Sequence, residues 1–580
     1  MNTIRDWWLD NQNVWFGSTE SDDIEITSKF EDMFGIILDE EYMIENIECG
    51  VGYIILHDQI ARHVKRVRNY SEQFVLDKLE KILGFVEKFY STNKNNLSGN
   101  DFCFVLLPLR HTNKFESQLF VINETWNKIT QYNPNTTSLY EREQIQIYKK
   151  YIKASLERAS KGNVYLNLTK ECLDIHNEIE EFIRNFSDIL DISCQHYKPN
   201  INHISTRNIN KNNKINKEFI RLKNNFPQNI ILSISGGVDS MILSWILASL
   251  GINYVMLHIN YANRGEICEK EKKMLSMWAN YLGIKLYIRD IKEINRAICM
   301  DWDLRNVYES YTRDVRLQSY EDIATQNNWI NGTWGIILGH NHDDCVENIF
   351  TNIVNKTKYE NLYGMDFIST INFKSNQLRF IRPMLTITKE EIYNFAHSSN
   401  IPYLFDSTPK WSQRGQIRDS VRPVLIGWNK SSIDGFDELT KVTSDCIECV
   451  DMLVDTWYNK LIWFDELESV DKICIDRQKI FIRYKFRVIK IKIDDLKPNK
   501  IFWSRFLEKI YSSTTNSKCI DEFISRMHLL KKKFNSLQLK QLSLIHMGNS
   551  NNYFNKIVDN KKIYYWKTYD NFIIFGFDIA

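Results

Sequence analysis

One run of six residues, Ser235-Gly236-Gly237-Val238-Asp239-Ser240, has the residue types needed to hold a phosphate. Gly236 and Gly237 permit a tight turn, because side chains there would block both the chain path and a ligand's approach. The apolar stretch Ile230–Ile234 precedes the run, and the nearly all-apolar stretch Met241–Leu250 follows it. A strand entering a glycine turn and leaving as a helix offers unpaired N–H groups and the positive end of a helix dipole to an anion. Ser235 and Ser240 add hydroxyl donors. Asp239 is out of place beside a bare anion, since its charge repels phosphate unless a cation lies between them. The run therefore implies a nucleotide carried with Mg2+, with Asp239 as the metal's protein ligand. A Walker loop would end in Gly-Lys-Ser/Thr, and this one does not, which argues against an NTPase that grips a γ-phosphate. A plain glycine turn with Ser and Asp capping is the alternative.

A second group, Gly339-His340-Asn341-His342-Asp343-Asp344-Cys345-Val346-Glu347, concentrates titratable side chains. Asp343 and Glu347 are four apart and share a helix face. Such a pair suits Mg2+ or an ammonium group, although Asp343 and Asp344 as simple N-caps would also account for the residue types. His340 and His342 mimic a transition-metal site only weakly, because i, i+2 histidines on a loop lack ligand spacing. Arg313 and Arg316 suit phosphate or developing negative charge. Arg414, Arg418 and Arg422 recur every four residues, as either a ligand-facing row or a solvated basic helix face. The only CxxC, Cys446 to Cys449, has helical spacing and lies outside the region that carries the other groups.

The elements that must position these residues follow from periodicity. Ile230–Ile234, Tyr254–Ile259, Lys285–Ile288 and Gly335–Leu338 are expected as buried strands with helical patterns between them. That alternation implies a doubly wound, parallel α/β sheet over 227–427. Val346, Ile349, Phe350, Ile353 and Val354 form one helical stripe, expected to be buried. Residues 1–190 are expected to be all helical, with amphipathic runs at Phe74–Phe89 and Tyr140–Leu156. Residues 191–226, rich in Asn and Lys, are expected to form a basic linker. Residues 428–580 return to helix and then alternate at Phe481–Lys492, which implies a mixed α+β region. Basic residues there, with Lys531, Lys532 and Lys533, could hold RNA phosphates or simply face water.

With 580 residues, several domains are expected, and 43% hydrophobic with 25% charged residues excludes a disordered or fibrous chain. The 74 basic and 73 acidic residues nearly cancel, so a nucleic-acid partner would need local basic patches. Eleven scattered cysteines without framework spacing imply reduced thiols and a cytoplasmic location. Neither a signal peptide nor a membrane span is expected.

The six-residue run resembles the SGGxDS hallmark of the PP-loop ATP pyrophosphatase superfamily. Within it, three further stretches resemble tRNA(Ile)-lysidine synthase. They are His258-Ile259-Asn260-Tyr261-Ala262-Asn263-Arg264 (with Tyr261 where that family has His), Gly339 to Asn348, and Arg382-Pro383-Met384-Leu385 followed by Lys389-Glu390-Glu391-Ile392. The similarity covers about residues 229–425. It implies ATP binding by Ser235–Ser240, His258, Gly339 and His340, and catalysis by Asp239, Arg313, Asp343 and Glu347. Arg316, Asp344, Arg382, Arg414 and Arg418 would contact tRNA or substrate. The reaction implied is adenylation of a tRNA wobble cytidine by ATP, then attack by free lysine. A tRNA-thiolating relative and a non-catalytic RNA-binding scaffold are the other readings. Earlier in the chain, Trp15-Phe16-Gly17, Ile55 to Arg62 and Phe104 to His111 with Gln118 resemble a helical, TPR-like bacterial family, domain of unknown function nine-two-four. It implies a module able to take a protein partner. Asp58, Arg62, Arg66 and His111 are expected there as buried pairs or a polar pocket.

Overall fold

The computed structural model describes residues 1–15, 18–159, 165–167, 182–196, 213–354, 364–374, 376–406, 413–460, 462–464, 485–492, 499–511, 518, 520–521, 524–525, 555–559, 562–569 and 572–579. Phe16, Gly17, Ser407, Thr408 and Lys531–Lys533 lie outside them.

The amino-terminal part is a helical array: α1 (Asn2–Asp10), α2 (Glu20–Phe30), α3 (Glu40–Glu45), α4 (Ile47–Ile55), α5 (Ala61–Arg68), α6 (Glu72–Asn93), α7 (Gly99–His111), α8 (Phe115–Thr130) and α9 (Leu139–Ala159). The two amphipathic runs read from sequence are α6 and α9. In α6, Val75, Leu79, Ile82, Val86 and Phe89 recur at helical spacing and are all buried. A π-helical turn, Leu56–Ile60, joins α4 to α5 and carries the buried His57 and Asp58.

Downstream runs α10 (Lys214–Leu222), then a sheet with its covering helices. Its strands are β1 (Tyr165–Asn167), β2 (Asn229–Ser233), β3 (Tyr254–Asn260), β4 (Leu286–Asp290), β5 (Trp334–Ile337), β6 (Ile368–Phe373) and β7 (Asn376–Ile381), in the order β1-β4-β3-β2-β5-β7-β6. Strands β4, β3, β2, β5 and β7 are parallel. Two departures from the sequence expectation stand at the edges: β6 is antiparallel to β7, and β1, from the stretch expected to be all helical, is antiparallel to β4. The crossover helices are α11 (Val238–Ser249), α12 (Glu266–Leu282), α13 (Arg296–Asp301), α14 (Arg305–Gln326) and α15 (His342–Val354), followed by α16 (Lys389–Ser398).

Strand β3 is buried along its whole length because both sheet faces are covered. Ile230, Leu232, Tyr254 and Met256 pack with α11, α12 and α16. Ile231, Val255 and Leu257 share the opposite core with α14 and the amino-terminal helices. Trp126 of α8 donates from Nε1 to the Glu293 carbonyl at 3.1 Å across that contact.

Two sequence expectations change. Part of the expected linker is the helix α10, because Ile215, Phe219 and Leu222 at i, i+4 and i+7 bury one face. The stripe on α15 is buried only in its first half. Val346 and Ile349 reach the core and Phe350 packs against Phe436 with ring centres 4.9 Å apart, while Ile353 and Val354 are exposed. After α17 (Gln413–Gln416), a π-helical turn (Ile417–Val421) and α18 (Arg422–Trp428) come α19 (Ser432–Tyr458) and α20 (Lys500–Tyr511). The remaining strands, β8 (Ile462–Phe464), β9 (Lys485–Lys492), β10 (Asn555–Asp559), β11 (Lys562–Tyr569) and β12 (Phe572–Ile579), pair antiparallel in the order β10-β11-β12-β9-β8.

Candidate active site

In the five parallel strands the winding reverses between β2 and β5, and the carboxyl ends of strands at such a switch point form a ligand crevice. A cavity of about 540 Å³ lies there. It is lined by the loop after β2, by His258, Ile259 and Asn260 at the end of β3 with Tyr261, Asn263 and Arg264 after it, by Leu338–His340 after β5, and by Leu404–Asp406.

The loop after β2 is held by its own hydroxyls. Ser240 Oγ donates to the Gly237 carbonyl at 3.0 Å and accepts from the Ser235 N–H at 3.2 Å. The cap of α11, Gly237, has no side chain to offer the first-turn N–H groups, so they remain available to an anion. Gly236 has φ +84°, and a Cβ on it would sit 2.3 Å from Leu404 Cδ1. The Leu404 N–H also donates to the Gly236 carbonyl at 2.9 Å, so residues 401–406 close over the loop. Gly339 is required for a second close approach: its Cβ would lie 3.1 Å from Asp239 Cβ.

Asp239, which sequence reasoning left in need of a cation, has one from the chain itself. Lys389 Nζ donates to Oδ2 at 2.5 Å and Asn341 Nδ2 donates to Oδ1 at 2.9 Å. Lys389 opens α16 after the Thr388–Glu391 capping box, which fixes where its side chain starts.

Asp343, Asp344 and Glu347 all find arginine partners. Arg414 pairs with Asp344 and, through Nε at 3.0 Å, with Glu347. Arg418 binds Glu347 at 2.9 Å and Asp406 at 2.7 Å, and Arg422 clamps Asp343. The row of arginines thus lies along the row of carboxylates, one helical turn answering another. Burial opposes ionisation of Asp343, but His342 and Arg422 outweigh it and hold its carboxyl well below the usual range. Burial pushes Asp344 up, against Arg414. Asn341, not an aspartate, caps α15. It exchanges hydrogen bonds with Asp344 at 3.0 and 3.2 Å.

His340 lines the cavity, and burial, then Arg382, Arg414 and Arg316, push its pKa down to about 4. Arg382 sits behind it, donating to His340 Nδ1 at 3.2 Å and to the Asp366 carbonyl and Ser369 Oγ at 2.9 Å. His258 is buried with its Nδ1 3.1 Å from the Ile234 carbonyl.

The cavity therefore gathers Ser235, Gly237, Val238, Asp239, Ser240, His258, Arg316, Gly339, His340, Asp344, Arg414 and Arg418. Gly236 forms the turn beneath. Asp343, Glu347 and Arg382 stand behind the wall, and Arg313 is exposed on α14 away from the cavity. Five cationic side chains line the space, Arg264, Arg316, Lys389, Arg414 and Arg418. Only Arg316 among them has no ion pair with a described residue. Lys389, Asn341 and the Arg264–Glu271 pair at 2.7 Å were missed as site residues. Lys389 had only its place in a helix-start signature as a signal. Cys268 lines the cavity, whereas Cys446 and Cys449 lie exposed on α19.

Comparison with known proteins agrees with this geometry. Residues 206–425 match the PP-loop domain family, and residues 4–187 match a family described as bacterial protein of unknown function (DUF924). The tRNA(Ile)-lysidine synthase of Mesoplasma florum is 26% identical over 302 residues, 51% of this chain and 69% of that protein. Those of Bacteroides thetaiotaomicron and Bacillus subtilis are each 26% identical, over 40% and 44% of this chain. The chain spans about half the length of these two, 50% and 52%. The solved U34-tRNA thiolase NcsA of Methanococcus maripaludis is 14% identical with a TM-score of 0.32, over 39% of this chain and 77% of that one, a likeness too weak to carry an inference. Residues 206–425 thus match a PP-loop domain, and the chain is similar to tRNA(Ile)-lysidine synthases.

Proposed function

We propose that the chain is an ATP-dependent ligase that modifies a tRNA wobble cytidine with lysine. The observation that carries this reading is the loop Ser235–Ser240. Its open helix end and hydroxyls are built for the β- and γ-phosphates, with a cavity beside it for the rest of the nucleotide. The lysidine synthases among its homologues supply the acceptor and the amine.

In the first step the cytidine C2 oxygen attacks the α-phosphorus of ATP. The bond from that phosphorus to the bridging oxygen breaks, and pyrophosphate leaves on the loop. In the second, the lysine ε-amine attacks C2, the C2–O bond breaks, AMP departs and the amine loses its protons. Holding the two reactants side by side supplies much of the rate. Arg316 is the cation with charge to spare for phosphate, and Gly236 and Gly339 let the loops close around it. His340 stays neutral at physiological pH, so it acts as a hydrogen-bonding group.

Mg2+ would be held largely by the nucleotide's phosphates with Asp239 as the protein oxygen. Asp239 fits that role in part, since each carboxylate oxygen keeps a lone pair beyond its bond to Asn341 or Lys389. The ion would supply charge neutralisation to the leaving pyrophosphate. Glu347 and Asp343 remain candidates for the lysine ammonium on this reading, which then requires Arg414, Arg418 or Arg422 to yield a carboxylate on binding. Such an exchange conserves charge.

Exchange of labelled pyrophosphate into ATP, measured without lysine, tests the first step. The reading requires exchange that depends on tRNA and is lost in Ser240→Ala. Exchange with lysine or another small acceptor alone would assign the loop to small-molecule activation.

A further inference from the structure

The amino-terminal helices bring three arginines, a histidine and one carboxylate to a single place far in sequence from the phosphate loop. Asp58, on the π-helical turn between α4 and α5, is 1% exposed. Its carboxylate is fully answered by Arg62 Nη2 at 3.0 Å, His111 Nδ1 at 2.9 Å and Gln59 Nε2 at 2.6 Å. Arg66, grouped with these residues by sequence, belongs elsewhere: it binds Asp23 at 2.6 and 2.7 Å.

Two further guanidiniums have no carboxylate partner among the described residues. Arg110, in the last turn of α7, makes no hydrogen bond or ion pair with a described residue. It lies over the Tyr151 ring of α9 at 5.0 Å. Arg158, two turns along α9, donates from Nη2 to the His111 carbonyl at 2.8 Å, and its Nε is buried without a partner among the described residues. Tyr151 is 8% exposed, and its hydroxyl is likewise buried with no partner among the described residues. A buried phenol and buried guanidinium N–H groups each cost free energy when nothing accepts from them. Burial first, then Arg110 and Arg62, hold the Arg158 guanidinium below its usual range, so these cations feel one another. Basic residues at the end of α7 also suit its carbonyls, but that accounts for Arg158's bond and leaves Arg110 idle. Arg62, Arg110 and Arg158 keep some solvent exposure.

We propose that Arg110, Arg158 and the Tyr151 hydroxyl form a second anion site, for the phosphate group of a small phosphorylated molecule, in the amino-terminal helical domain. Three guanidiniums against one carboxylate leave an excess that a phosphate near −2 balances, and guanidinium forks match its oxygens. A π-turn at the site fits the habit of such turns to mark ligand-binding places. The proposal does not rest on the reaction assigned to the phosphate loop.

The test uses the full chain and inorganic phosphate, read by isothermal titration and by thermal melting. The wild-type chain is expected to bind phosphate at two places. Ser240→Ala removes one and Arg110→Ala the other, with about a tenfold or greater loss of affinity at the second. Arg110→Ala is expected to melt at the same temperature as wild type or higher without phosphate, because an unpaired half-buried charge has been removed, and to lose the phosphate-induced rise. Tyr151→Phe weakens the same site while leaving the fold intact. Phosphate binding unaltered by Arg110→Ala, or a fall in its melting temperature without phosphate, overturns the proposal and makes Arg110 a structural residue. An equal rise with acetate at matched ionic strength also overturns it, by assigning the place to carboxylates.

Discussion

Replacing Lys389 with Met keeps the stem and removes the ammonium that neutralises Asp239 at 2.5 Å. In the resting chain the two charges cancel beside the phosphate loop. With Lys389→Met, the Asp239 carboxylate keeps only Asn341 among the described residues, and its charge faces any phosphate placed on the loop. Unit charges about 4 Å apart interact by roughly 4 kcal/mol at an effective dielectric near 20. The side chains are 23% and 22% exposed, so solvent and counter-ions screen a good part of that. A loss of about 1–2 kcal/mol in ATP binding remains, or roughly 5- to 30-fold in KM for ATP. Pyrophosphate release at varied ATP measures it, and Asp239→Asn in the same background completes a cycle. The double variant should bind ATP better than Lys389→Met alone, with a coupling of about 1 kcal/mol or more. If Lys389→Met leaves KM unchanged, or if the two substitutions simply add, Lys389 is not the cation on which Asp239 depends.

Three further outcomes follow from the geometry. Gly236→Ala should destabilise the chain by about 2–4 kcal/mol in a denaturant titration, through its φ of +84° and the Cβ contact with Leu404; adding Leu404→Ala should recover only the steric part. Glu347→Gln leaves Arg414 and Arg418 facing an amide at a side chain that is 5% exposed, and should cost about 2–4 kcal/mol, read the same way. His340 has a folded pKa of about 4 against an unfolded value of 6.5, so the unfolded chain binds more protons between them. Stability is therefore complete above pH 6.5 and falls as pH drops toward 4, by about 3 kcal/mol from this residue. His340→Gln should flatten that slope in melts taken across the window.

The phosphate loop was legible because its signal is local: glycines, hydroxyls and an apolar strand and helix adjoin in sequence. The central parallel strands were legible because burial on both faces leaves unbroken apolar runs such as Tyr254–Leu257. The partners of the acidic groups were not legible. Asp343, Asp344 and Glu347 meet arginines 67 to 79 positions away in the chain, and Asp239 meets Lys389 across 150. Periodicity gave Arg414, Arg418 and Arg422 one helical face but not what that face meets. Helix α10 was hidden by composition. Its apolar residues Ile215, Phe219 and Leu222 are few among lysines and asparagines, yet their spacing is enough to bury them. Strand β1 has three residues and pairs at a sheet edge, too short for alternation to show. Likewise, the split of Arg62 from Arg66 depends on Asp23, which only folding brings near.

Nucleoside mass spectrometry of tRNA incubated with the full chain, ATP and isotopically labelled lysine tests the assignment most directly. The expected result is one wobble cytidine converted to a lysine adduct carrying the label, with one pyrophosphate and one AMP released per adduct and none from Ser240→Ala. A wobble base that gains mass without the label, or tRNA left unmodified while ATP is split, would contradict it.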